Sequence, residues 1–327
     1  MLIFLNLHVL AQGKYEKDPL GEGFLKMTIE QPVDYEGRVT CTLIRKESDP
    51  ANKNAVLYIH GFNDYFFQQE MASEFNAHGF RFYALDLRKY GRSFLPEQKF
   101  NNVRDLTEYF ADIDTALRII QQEGAGKVLL CGHSTGGLIS TLYAGSHANS
   151  DLFDAVFLNS PFFDMNMNKV LEKTVLPSVA RKGKKKPDKL LSGGLTKWYG
   201  WSLHKGQKGE WDYNLAWKPH TPPAVNYGWI SAIVTGQKKI DAGIAIDKPM
   251  LVMHSDKSVY TRKWTDELFN GDAVLSVRDI ASHARKLEGT DIRVQVIPGG
   301  MHDLVLSRPA VREKVYKDLF LWTAEKL

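Results

Sequence analysis

Cysteine is scarce in this chain of 327 residues: Cys41 and Cys131 are the only two, each set inside an apolar run. That argues against a disulfide framework or a cysteine-built metal site and predicts two buried free thiols. Zinc-finger spacing and RNP-type motifs are also missing. With a formal net charge of only +4, a charge-driven nucleic-acid partner is not expected. There is no G-x-G-x-x-G and no Walker-type lysine, so a glycine-rich phosphate loop has no support. No apolar run reaches the ~20 residues that crossing a bilayer requires. The apolar start, Met1 to Ala11, is broken by Asn6 and His8 and runs into Gln12, Gly13 and Lys14. Residues 1–11 read as a truncated export signal, with Val9-Leu10-Ala11 near a cleavage point, which predicts a periplasmic or extracellular protein. The alternative is the strand or disordered start of a cytoplasmic enzyme.

What remains is ordinary globular composition, 43% apolar and 24% charged. The length suits two domains or one large α/β domain carrying an insertion. From Leu25 to Ile44 two alternating runs flank Asp34-Tyr35-Glu36-Gly37 and predict antiparallel strands with one wetted face. Downstream the apolar runs are continuous: Ala55–Ile59, Phe80–Leu85, Val128–Cys131, Ala155–Leu158, Met250–Met253 and Ile292–Ile297. Such runs predict parallel strands buried on both faces. Helix-period segments lie between them near Gln69–His78, Asp105–Gln122, Gly137–His147 and Val277–Leu287, with a last amphipathic helix near Ala310–Lys326. The alternation stops between Pro161 and Lys248. That stretch holds 15 Lys or Arg against 7 Asp or Glu, five of the seven tryptophans, and the basic run from Arg181 to Lys186.

Chemistry concentrates at Gly132-His133-Ser134-Thr135-Gly136, a G-x-S-x-G between a strand-like and a helix-like run. In that context the small residues permit a sharp turn that projects Ser134 Oγ at the sheet edge, beside free N–H groups of a helix start. A serine hydroxyl needs a base. His302, in Gly299-Gly300-Met301-His302-Asp303, follows the last strand-like run and precedes the last helix, which puts it at the same edge. Tyr58-Ile59-His60-Gly61-Phe62 is a strand running into a His-Gly turn, the kind of loop that supplies an oxyanion donor, so the N–H groups of Phe62 and Thr135 are the candidates. Asp86 and Arg88, in Asp86-Leu87-Arg88-Lys89-Tyr90-Gly91-Arg92-Ser93, are expected to brace loops.

Taken together, His-Gly-Phe, Asp-x-Arg-x-x-Gly-Arg-Ser, Gly-His-Ser-x-Gly-Gly and Gly-Gly-x-His resemble the α/β-hydrolase superfamily. Within it the likeness is to monoacylglycerol lipases, lysophospholipases and related serine aminopeptidases, over roughly Ala55–Pro161 and Pro249–Leu327. The resemblance implies an α/β fold, a mostly parallel sheet flanked by helices, with a core from residues 16–160 and 249–327 and an inserted cap from 161–248. It also implies a third residue, an acid after the strand Met250–Met253. Asp256 follows that strand directly; Asp272 lies 30 residues before His302, in an Asp-x-Val setting found in relatives. On that spacing Asp272 is the favoured acid, and Tyr260–Gly271 reads as an insertion.

The expected activity is hydrolysis of a small, medium or lipid-like carboxylic ester through Ser134, His302 and Asp272, with no metal and no organic cofactor. An aminopeptidase or amidase, or an acyltransferase, would use the same three residues; a non-catalytic binding protein on this fold would be expected to lack them. An amine-recognising carboxylate would come from Glu210, Asp212 or Asp241. The insert's tryptophans either line an acyl pocket or build the cap's own core, and its lysines either meet an anionic membrane surface or form a solvated loop.

Overall fold

The computed structural model describes residues 13–167, 170, 174–191 and 196–327. The segment read as an export signal lies outside them. Nine strands form one sheet in the order β1-β2-β3-β5-β4-β6-β7-β10-β11. They are β1 (Glu16–Lys17), β2 (Phe24–Asp34), β3 (Gly37–Lys46), β4 (Asn54–Ile59), β5 (Phe80–Asp86), β6 (Val128–His133), β7 (Ala155–Asn159), β10 (Met250–Ser255) and β11 (Ile292–Ile297). The first three and the β3–β5 pair are antiparallel, and from β5 to β11 every neighbour is parallel. Strands β8 (Leu190–Leu191) and β9 (Val225–Asn226) form a separate pair.

Each interior parallel strand coincides with a continuous apolar run, since a strand covered by helices on both faces has no wetted side. Ala55–Ile59, Val128–Cys131, Ala155–Leu158 and Met250–Met253 are all buried. Two strands depart from expectation. The polar face of β3 is not wetted: Thr40 Oγ1 donates to Ser93 O, and Ser93 Oγ donates to Thr42 Oγ1, so the Gly91–Ser93 turn covers it. In contrast, β11 is an edge strand with Arg293 exposed and Val296 half exposed. Its Arg and Gln sit where solvent reaches a strand paired on one side only.

The helices on the sheet are α1 (Gln69–Ala77), α2 (Phe110–Gln122), α3 (Thr135–Ser146), α7 (Val277–Ala284) and α8 (Pro309–Lys326). Between β7 and β10 lie α4 (Leu176–Lys185), α5 (Lys197–Leu203) and α6 (Tyr227–Asp241). Local signals explain their starts: an Asp105–Glu108 capping box leads into α2, Asn226 caps α6, Ser276 caps α7, and Pro309 opens α8. Every residue from Thr135 to Ala144 is buried, because α3 lies between the sheet and α6. Both cysteines are buried and unbridged. No described helix is long and apolar enough to cross a membrane.

Candidate active site

Parallel strands deliver the loops after β4, β6, β10 and β11 to one edge of the sheet. The turn after β6 is the tightest. Ser134 adopts φ 52 and ψ −117, a region that side chains rarely occupy and that surrounding contacts must enforce. A Cβ on Gly132 would come within 2.5 Å of Gly136 O, and one on Gly136 within 2.3 Å of Ile59 O, so the motif's glycines allow α3 to start against the end of β4.

Four segments meet at Ser134. His302 Nε2 lies 2.9 Å from Ser134 Oγ, and His302 Nδ1 lies 2.9 Å from Asp272 Oδ2. Asp272 Oδ1 accepts N–H bonds from Val274 and Leu275 at 2.8 and 2.7 Å. With acceptors at both carboxylate oxygens, Nδ1 bears the imidazole proton and the Nε2 lone pair faces the serine. All three side chains are buried. Asp256 is exposed and instead accepts from Gly299 N at 2.8 Å. The excursion 260–271 returns so that Asp272 N donates to Lys257 O and Val259 N donates to Asp272 O, which pins Asp272 just beyond β10.

Gly61 packs against the serine, with its Cβ position 3.1 Å from Ser134 Cβ, so Phe62 and Thr135 flank Ser134 on adjoining loops. Neither N–H finds an acceptor among the described residues. His60 sets the Gly61–Phe62 turn from below: Nδ1 bonds Gly61 O at 2.8 Å and Nε2 accepts from Leu87 N at 3.1 Å. Burial lowers the pKa of His60 and of His133, which bonds Asn159 O. Asp86 and Arg88 do brace loops. Asp86 accepts from Phe66 N and Arg92, while Arg88 makes a buried pair with Asp112 at 2.6 Å. Burial raises the Asp112 pKa, with Arg88 opposing it.

Several neighbours carried no separate signal in the sequence. Asp303, next to His302, accepts from Asn159 Nδ2 at 2.7 Å and Gln68 Nε2 at 3.1 Å, and its N–H donates to Tyr199 OH. Tyr199 also packs edge-on against the His302 ring, and Trp229 lies 4.6 Å from the Phe62 ring. Lys218 pairs with buried Asp64 at 2.8 Å. Tyr199 and Trp229 thus bring described parts of the 161–248 stretch into contact with His302 and Phe62. Its tryptophans divide: Trp229 is beside Phe62, Trp211 and Trp217 pack on the sheet-forming part, and Trp198 contacts Trp201. A wider groove of about 690 Å³, bounded by Glu70, His78, Arg312 and Phe320, contains none of the candidate site residues.

This sheet, its helices and the serine-bearing turn are those of the α/β-hydrolase superfamily. Residues 50–308 match the family model Hydrolase_4, described as Serine aminopeptidase, S33, and the chain belongs to that family. Monoacylglycerol lipase of Mycolicibacterium smegmatis is 24% identical over 303 residues, 89% of this chain and 94% of that protein. The AB hydrolase superfamily protein YisY of Bacillus subtilis is 29% identical over 114 residues, 34% of this chain and 40% of that protein. Among solved structures, a soluble variant of monoglyceride lipase from Saccharomyces cerevisiae with a substrate analog is similar at 16% identity. Its TM-score is 0.66, over 92% of this chain and 97% of that one. Est1E from Butyrivibrio proteoclasticus with ferulic acid bound is 15% identical with a TM-score of 0.58, over 91% and 98%.

Proposed function

We propose that the protein hydrolyses carboxylic esters through an acyl-enzyme, with Ser134 as nucleophile. His302 takes the Ser134 proton as Oγ attacks the carbonyl, then gives it to the leaving alcohol; water repeats the attack and frees the acid. Asp272 holds the His302 tautomer and stabilises the imidazolium, and the Phe62 and Thr135 N–H groups hold the oxyanion. The carrying observation is the pair of 2.9 Å contacts that His302 makes on opposite sides of its ring. None of these steps needs a metal or organic cofactor. The 161–248 segment acts as the cap, and its basic surface meets anionic membrane.

Ester rather than amide chemistry is favoured by the fate of the carboxylates that would recognise a substrate amine. Glu210 pairs with Arg312, Asp212 with Lys205, and Asp241 with Lys286. The named relatives, monoacylglycerol lipase and Est1E, lend the same support. A panel of p-nitrophenyl esters and aminoacyl anilides, with Ser134→Ala as the blank, tests the reading. Serine-dependent turnover of esters is expected; turnover of anilides alone would replace it with an aminopeptidase.

A further inference from the structure

The connection from β5 to α2 contains two adjacent asparagines that differ in their partners. Asn102 Oδ1 accepts from Asn226 Nδ2 at 2.6 Å, and Asn226 Oδ1 caps α6 by accepting from Trp229 N at 2.7 Å. Asn101 has no such employment. The residue is 3% exposed, yet neither Oδ1 nor Nδ2 has a partner among the described residues. Its backbone, anchored by an N–H bond to Lys89 O, sits at φ 59. A left-handed backbone and an unpaired buried amide are each unfavourable, and they coincide where Asn101 lines a crevice with Phe62, Phe100, Val225, Asn226 and Trp229. Phe62 joins this crevice to the serine, because Gly61 packs on Ser134.

We infer that Asn101 is a specificity-determining residue whose carboxamide hydrogen-bonds a hydroxyl carried by the ester substrate near its scissile bond. This rests on the ester-hydrolase reading. An unpaired donor beside an unpaired acceptor suits a small group that does both; an anion would face Oδ1, and an ammonium would face Nδ2. The other polar side chain of the wall, Asn226, is already engaged with Asn102 and Trp229 N, so a hydroxyl meets few competing partners. The crevice as it stands does not admit a water-sized group, so the substrate enters by parting Phe62 from Trp229.

The hydroxyl belongs either to the alcohol or to the acyl part, and two ester pairs separate these sources. Glycerol 1-butyrate is compared with propyl butyrate, and ethyl 3-hydroxybutyrate with ethyl butyrate, as ratios of kcat/KM in wild type and Asn101→Gly. Glycine accepts φ near 59 without strain, and any loss of folded protein cancels in a ratio. The wild type should prefer the hydroxylated member of one pair by about tenfold, and the variant should lose that preference. The first pair would assign the hydroxyl to the alcohol, the second to the acyl group. Ratios near unity in the wild type, or a preference that survives in Asn101→Gly, would overturn the role of Asn101. A wild type that hydrolyses none of the four esters would overturn the ester reading itself, and this proposal with it.

Discussion

Two aspartates compete for one role at the end of β10, and the residues around them separate their effects. Asp272 contacts His302, whereas Asp256 supports Gly299 from an exposed position. Asp272→Asn should lower turnover by about 10⁴, and Asp256→Asn should change it by only a few-fold; steady-state kinetics on one ester checks both, and the reverse order would contradict the assignment. Ser134 and Thr135 were picked out by a sharp turn that demands specific residue types at fixed spacing, and His302 and Phe62 by loops that follow strand-like runs; the structure brings these positions to one sheet edge. Asp272 was favoured only through the resemblance, by an Asp-x-Val setting at the relatives' spacing to the histidine, since the backbone bonds that bring it back to Lys257 and Val259 bridge an irregular excursion. Tyr199, Lys218 and Asn101 were not legible, because what makes each notable is a partner, or a missing one, set by tertiary packing. Buried histidines add a pH dependence to stability. Burial lowers the pKa of His60, His133 and His254 below the ordinary 6.5, so protonation favours the unfolded chain. Their contribution is complete above the unfolded value and is lost as pH falls through 6.5 toward the lower folded values. Urea unfolding between pH 7.5 and 5 should show stability declining below about 6.5, by at most ~1.4 kcal/mol per pH unit for each histidine; a flat profile would contradict this.

Periodicity located the strands and the helices on the sheet, because burial on one or both faces leaves a direct trace in residue type. It misjudged β3 and β11, where exposure depends on what covers a strand and whether it lies at the edge. The lysine-rich α4 is the clearest case of meaning hidden from sequence. Gly183 stands among lysines and reads as a helix weakness, but a Cβ there would lie 2.2 Å from Tyr227 O, so its absence lets α4 approach α6. Gly183→Ala should therefore destabilise this contact despite alanine's better helix propensity, by about 1–3 kcal/mol. Hydrogen exchange should show faster opening of α4 and α6; slower exchange would mean that propensity outweighs the steric conflict.

At the scale of the molecule, charge is divided. The 161–248 segment carries the excess of lysine and arginine, and Arg181, Lys182, Lys184, Lys185 and Lys186 are all exposed, near half-exposed Val175 and exposed Leu190. If this surface meets anionic lipid, replacing Lys184, Lys185 and Lys186 by Gln should weaken vesicle binding by up to ~1 kcal/mol per residue and lower activity on anionic vesicles. Rates on short soluble esters should remain as in the wild type, and equal vesicle binding would remove the membrane role. Ser134 is itself buried, so reagent access depends on the packing around it as well as on its own reactivity. The most direct measurement is intact mass after treatment with a fluorophosphonate, followed by peptide mapping. One adduct per chain is expected, located on Ser134 and absent in Ser134→Ala, with turnover in that variant reduced by about 10⁶. An adduct elsewhere, or full activity in Ser134→Ala, would contradict it.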